Sequence, residues 1–152
     1  MKIPGKFLGI DYGTKRVGLA LSDQNGRLAF PKEVVKNNGE LFRKIGIILS
    51  NEKISEIVVG ESFDFTNLPN ALMKEIGFFV SKLEKKFKIP VYLQKEFLTS
   101  VEARRYLSFG GQARRYGNPE EHVDASAAAL ILQRYLDKKN QQNNGGNSED
   151  VI

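Results

Sequence analysis

Residues 54–60, Ile-Ser-Glu-Ile-Val-Val-Gly, make an apolar run too short for a helix, and Ile57, Val58 and Val59 are consecutive rather than alternating. A strand of this kind is buried on both faces, as it is inside a parallel sheet with helices above and below. The flanking segments supply those helices. Leu41, Ile45, Ile48 and Leu49 precede the run at the spacing of one helical face, and Leu72, Ile76, Phe79, Val80 and Leu83 follow it in the same way. Pro69 suits the first position of the second helix. Residues 85–88, Lys-Lys-Phe-Lys, put cations near its end, where the macrodipole favours them. Residues 90–97, Pro-Val-Tyr-Leu-Gln-Lys-Glu-Phe, then return as a strand.

The beginning of the chain has a different period. Residues 6–12 and 17–22 are short β-rich runs separated by Gly13-Thr14-Lys15-Arg16. Asn25-Gly26 is a dipeptide that tolerates the positive φ of a tight hairpin turn. A third strand is expected from Arg27 to Val35, with Pro31 confining it to an edge or a bulge. Beyond residue 97, Thr99-Ser100-Val101-Glu102 fits a capping box for a helix that Gly110-Gly111 ends. Asn118-Pro119-Glu120-Glu121 then opens a last helix running to about Asp137. The order βββ-α-β-α-β-α-α predicts an α/β chain. Its mixed five-stranded sheet combines a three-stranded antiparallel meander with parallel strands, and helices lie on both faces. The ribonuclease-H-like fold has this order. A chain of 152 residues buries enough surface for one domain, here residues 1–137, and the Asn/Gln/Gly-rich residues 138–152 read as a disordered tail.

Composition narrows the chemistry. There is no cysteine, so disulfides, thiolate metal sites and a cysteine nucleophile are excluded. The single histidine, His122, excludes any site that needs two imidazoles. A formal charge of +5 leans towards polyanionic partners. The longest apolar stretch, Ala125 to Leu132, contains Ser126 and falls short of the ~20 residues of a membrane span. The apolar run after Lys6 stops at Asp11, too soon for a signal peptide. A soluble, cytoplasmic protein with no membrane partner is expected.

What remains is carboxylate chemistry. Asp11 ends the first strand, Glu61 follows the fourth and Glu96 lies near the end of the fifth. Those three strands form the parallel set, so their ends share one edge, the edge where open α/β sheets bind ligands. Asp124, on the last helix, shares a mostly apolar face with Ala128, Ile131 and Tyr135. Each acid also has an ordinary reading as a turn residue, a solvated strand end or a helix-dipole partner. Gathered together, carboxylates repel one another, and Mg²⁺ or Mn²⁺ relieves that repulsion. Two such ions about 3.5–4 Å apart activate a water and stabilise the leaving oxygen of a phosphodiester. Between Glu96 and Asp124, Ala103-Arg104-Arg105-Tyr106 recurs as Ala113-Arg114-Arg115-Tyr116. Arginines pair with phosphates and tyrosine rings stack on unpaired bases, although a solvated helix face reads the same way.

The segments 8–23 (LGIDYGTKRVGLALSD), 57–60 (IVVG), 96–107 (EFLTSVEARRYL) and 123–137 (VDASAAALILQRYLD) resemble the blocks of the YqgF/RuvX family. Its members are described as Holliday-junction resolvases and as nucleases that mature small-subunit ribosomal RNA. The resemblance covers residues 6–137 and implies a ribonuclease-H-like fold. It also implies a catalytic, metal-binding triad of Asp11, Glu96 and Asp124, and a Gly-Thr-Lys-Arg turn at Thr14, Lys15 and Arg16 that meets substrate phosphate. The chain departs from the family where Lys95 replaces an Asp, Phe97 an Arg, and Gly60-Glu61-Ser62 a Gly-Leu-Pro. Glu61 falls where some related resolvases carry an acidic ligand, which makes it a candidate fourth metal ligand.

The leading expectation is a Mg²⁺- or Mn²⁺-dependent nuclease acting on structured RNA, as in 5′-end processing of pre-16S rRNA, or on branched DNA. With no self-complementary apolar seam for the dimer that junction resolution favours, RNA is preferred, and the protein is expected to be a monomer or weak homodimer. Two alternatives stand beside it. One is a non-catalytic nucleic-acid or ribosome-assembly binder. The other is an actin-like ATPase or sugar-kinase-type phosphate binder, which Asp-Tyr-Gly-Thr after a strand resembles.

Overall fold

The computed structural model describes residues 5–61, 71–95 and 119–149, with side chains in the last segment from 125 to 142. Three strands come first: β1 (Lys6–Tyr12), β2 (Arg16–Ser22) and β3 (Ala29–Lys36). Helix α1 (Leu41–Asn51), strand β4 (Ile54–Glu61), helix α2 (Ala71–Phe87) and strand β5 (Val91–Lys95) follow, and helix α3 (Pro119–Glu149) is the last described element. The sheet has the order β3-β2-β1-β4-β5, antiparallel across β3-β2-β1 and parallel across β1-β4-β5. This is the mixed five-stranded sheet expected from the sequence. The helix expected from Thr99 lies outside the described residues.

Two apolar layers sandwich the sheet. On one face Leu8, Ile10, Val17, Leu19, Ile57 and Val59 pack against Leu41, Ile45 and Ile48 of α1 and Ile76, Phe79 and Leu83 of α2. On the other face Phe7, Ala20 and Val58 meet Ala128, Ile131, Leu132 and Leu136 of α3. Alternate residues of β1 and β4 thus enter different cores. That is why the run around Val58 is continuously apolar.

Local differences from the sequence reading have physical causes. Pro31 does sit on an edge strand, at a shift in register where Leu19 pairs with Glu33 but Ala20 with Pro31. The β2–β3 turn is not a two-residue Asn25-Gly26 hairpin, since only Gly26 of the pair has positive φ (65°). Asp23 builds a wider loop instead. Its Oδ1 accepts from Arg27 N at 2.8 Å and Leu28 N at 3.2 Å, and these amides hold its carboxyl below the usual 3.8. Helix α3 begins at the expected Pro119 but continues to Glu149, past the end at about Asp137 read from the sequence. Nothing in Lys138 to Gln142 breaks a helix, and propagation is cheap once a helix exists. The extension is also anchored: Lys139 Nζ pairs with Glu56 at 3.2 Å, and Asn140 Nδ2 donates to Gly26 O at 3.1 Å.

Gly77 lies exposed within α2, and a Cβ there would meet nothing within 4 Å. Gly77→Ala is therefore expected to raise stability by about 0.5–1 kcal/mol, because glycine has more backbone freedom to lose on folding. Denaturant unfolding should show a higher midpoint with an unchanged slope.

Candidate active site

Asp11 is the penultimate residue of β1, at the carboxyl edge shared by the parallel strands, and is half-buried. In β1, residues 7, 9 and 11 face α3, whereas Leu8 and Ile10 face α1 and α2. Asp11 is paired with Gly18 on β2, and Gly60 follows Val59, the β4 partner of Ile10. Both neighbours on the α3 face are therefore glycines, which leave bare backbone on either side of the carboxylate.

Helix α3 runs antiparallel to β1 across this face. Tyr135 packs on Phe7 with ring centroids 6.0 Å apart, and Lys139 Nζ lies 4.8 Å from the Phe7 ring centroid. Two residues further along β1, Gly9 sits so close to the helix that a Cβ would fall 2.7 Å from Leu132 Cβ and 3.0 Å from Ala128 O. Going on to Asp11 advances about 6.7 Å along the strand, and going from Ala128 back to position 124 advances about 6 Å along the helix. The register thus carries position 124 towards the Asp11 end of β1. The backbone of position 124 is described; its side chain is not.

Helix α3 is fixed laterally as well. Gln133 accepts from Ala29 N at 2.9 Å through Oε1 and donates through Nε2 to Arg27 O at 2.8 Å and to Asp137 at 2.9 Å. Tyr135 stacks on Tyr92 of β5 at 5.6 Å. Burial, with Glu56 and Tyr92 adding to it, pushes the Tyr135 hydroxyl up to about 12, so the ring stays neutral and packs as an apolar group.

The β1–β2 turn is built next to Asp11. A Cβ on Gly13 would fall 2.5 Å from Arg16 O, so only glycine allows the turn to be this tight. Asn37 clasps it, donating through Nδ2 to Gly13 O at 2.8 Å and through its backbone N–H to Lys15 O at 2.9 Å. Thr14 and Lys15 are exposed on its outside. Arg16 pairs across the strands with Lys36, and alternation with the core residues Val17 and Val35 turns both cations to the α3 face, the face of Asp11. The sequence reading ends the third strand at Val35 and so misses Lys36; the inward parity of Val35 is the signal that finds it.

Glu61 and Lys95 end β4 and β5 as register partners. Alternation puts Glu61 with Ile57 and Val59, on the face opposite Asp11. The structure therefore does not group Glu61 with Asp11. Glu96, Arg104, Arg105, Arg114, Arg115 and Tyr116 lie outside the described residues. Among the described residues no three acidic or histidine side chains cluster to hold a metal ion, and neither Glu96 nor the Asp124 side chain is among them. Asp11 brings to this end of the sheet a carboxylate, a hard oxygen ligand of the kind that suits Mg²⁺ or Mn²⁺, and its neighbours on that face, Gly18 and Gly60, carry no side chains. No helix among the described residues is long and apolar enough to cross a membrane.

A family profile described as "RuvX: Holliday junction resolvase" matches residues 5–138. A protein of Lawsonia intracellularis named "Putative pre-16S rRNA nuclease" is 34% identical over 139 residues, covering 90% of this chain and 96% of its own. One of the same name from Oenococcus oeni is 36% identical over 144 residues, covering 92% and 99%. The structure of T. thermophilus RuvC in complex with a Holliday junction substrate superposes with a TM-score of 0.56 at 18% identity, covering 89% of this chain and 95% of that one. That likeness shows a shared ribonuclease-H-like fold. With the profile spanning nearly every described element and the relatives matching end to end, the chain belongs to the RuvX family.

Proposed function

We propose that the protein is a divalent-metal-dependent nuclease that cleaves structured RNA, with the 5′ region of pre-16S rRNA as its substrate class. The observation that carries this reading is the placement of Asp11. It stands between two glycines at the carboxyl edge, on the face over which α3 carries position 124. Asp11, Glu96 and Asp124 would hold Mg²⁺ or Mn²⁺, which when bound supplies an activated water and offsets charge on the phosphate oxygens. The carboxylates contribute fixed negative charge and oxygen ligands in a site closed on one side by α3. Lys15, Arg16 and Lys36 neutralise backbone phosphates on the same edge and the Thr14 hydroxyl donates to them, and Arg104, Arg105, Arg114, Arg115 and Tyr116 extend that grip along the nucleic-acid strand. The RNA preference draws on the names of the relatives, and such a substrate would place the protein in the cytoplasm.

The test is incubation of the full chain with an end-labelled precursor-like RNA and with a four-way DNA junction, in Mg²⁺, in Mn²⁺ and in EDTA. Cleavage of the RNA that EDTA abolishes is expected, with the junction bound but left intact. Cutting of the junction alone would transfer the activity to branched DNA. Binding of RNA without cleavage in either metal would leave a non-catalytic binder, with Lys95 and Phe97 marking the lost chemistry.

A further inference from the structure

On the face of the sheet away from α3, a cavity of about 450 Å³ opens between α1, α2 and the end of β1. Its walls include the rings of Tyr12, Phe42, Phe78 and Phe79, together with Asn38 and Lys82. Tyr12 and Phe79 pack with centroids 4.8 Å apart, and Phe42 and Phe79 at 5.7 Å, so three rings form a fixed aromatic wall. Phe78 is different. It is 67% exposed, at the cavity rim, and contributes little to the core.

Resting on the nucleic-acid reading above, we propose that this cavity is a subsite for one unpaired base of the strand that crosses the Asp11 edge. Tyr12 directly follows Asp11, about 3.8 Å on between Cα atoms, but projects to the opposite face. A single strand drawn over the sheet edge passes from one face to the other between these two residues. The same cavity is lined by Asn37, the residue that clasps the turn carrying Thr14 and Lys15. A phosphate held at that turn therefore leaves its neighbouring nucleotide beside the cavity mouth. The lining matches a base rather than an aliphatic ligand: ring faces stack on it, Asn37 and Asn38 bring amides for its edge, and Lys82 a cation for its phosphate. Glu75, also in the lining, accepts from exocyclic amino groups and keeps the phosphate itself out of the interior.

The experiment uses the full chain in EDTA, so that binding is read without cleavage. The probes are an RNA stem with short single strands at both ends, carrying 2-aminopurine at one single-stranded position at a time, and the same stem blunt-ended. One 2-aminopurine position should change fluorescence on binding, and Phe78→Ala should remove that change. The variant should also weaken binding of the overhang RNA about fivefold or more while leaving the blunt stem unaffected. Because Phe78 is exposed, the variant should melt as the parent does. Lys82→Ala should weaken the overhang RNA in the same selective way. Equal affinities for parent and Phe78→Ala, or an equal loss on the blunt stem, would overturn the subsite. So would a shift of Phe78→Ala in sedimentation from dimer to monomer, which would make the cavity a surface for self-association. A selective loss with no cleavage in any metal would retain the subsite and remove the nuclease, whereas cleavage with no selective loss would do the reverse. Failure to bind either RNA would remove both.

Discussion

Asp11→Asn is expected to lower the cleavage rate by at least about 10²–10³-fold while RNA affinity measured in EDTA is retained or slightly raised. The substitution is isosteric, so the strand and its pairing with Gly18 can stay as they are. What changes is one anionic oxygen, proposed here as a metal ligand, at a half-buried position, and an amide offers only a neutral carbonyl oxygen in its place. Removing a negative charge from a chain that already carries +5 also strengthens its attraction to phosphates. The expected pattern is therefore a fall in kcat with KM unchanged or lower, as for a group that acts only on the way to the transition state. Single-turnover cleavage with a parallel binding titration checks it, and Asp124→Asn should behave alike. A parental rate in Asp11→Asn would remove the proposed mechanism.

Gly9→Ala, which touches no proposed ligand, is expected to have the second largest effect. The added methyl would lie 2.7 Å from Leu132 Cβ and 3.0 Å from Ala128 O. Neither atom is the end of a flexible side chain, so the helix or the strand has to move. Overpacking of this kind costs about 1–3 kcal/mol. The displacement is transmitted to position 124, one helical turn before Ala128, and a 1 Å misplacement in a catalytic site costs about 10²-fold. Both the unfolding midpoint and kcat should fall, with RNA affinity in EDTA near parental. Gly77→Ala is the contrast, since the same methyl there points into open space. If Gly9→Ala keeps full activity with lowered stability, the placement of α3 over β1 does not govern the chemistry.

Much of this architecture is legible in the residues because two periods alternate along the chain. The buried face of α1 contains Leu41, Ile45, Ile48 and Leu49, the positions that spacing picks out, and β1 spans the residues 6–12 that read as a strand. Legibility fails where information is not local. In β4 the apolar run hides its own parity, because Ile57, Val58 and Val59 are all buried. The face to which Glu61 belongs emerges only once α3 is seen to cover Val58. Asn25-Gly26 misleads because Asp23, two residues before Asn25, offers its carboxylate to the amides of Arg27 and Leu28 and so sets a longer loop. The end of α3 is hidden because the residues after Asp137 carry no apolar periodicity, while the anchors at Glu56 and Gly26 come from distant parts of the chain. Of the proposed triad, Asp11 can be placed from its strand alone. Position 124 needs the close approach at Gly9 to acquire a register.

The course of α3 from one rim of the sheet to the other makes it a yardstick as well as a lid. It is moored near the amino-terminal rim, by Lys139 to Glu56 and Asn140 to Gly26, while its near end bears Asp124, the ligand proposed for the metal. A rigid rod held in this way converts small slips at the mooring into equal slips at the opposite tip. The placement of the end proposed to react is thus shared between the close approach at Gly9 and contacts about four turns distant, among residues whose polarity marks them, at first sight, as dispensable.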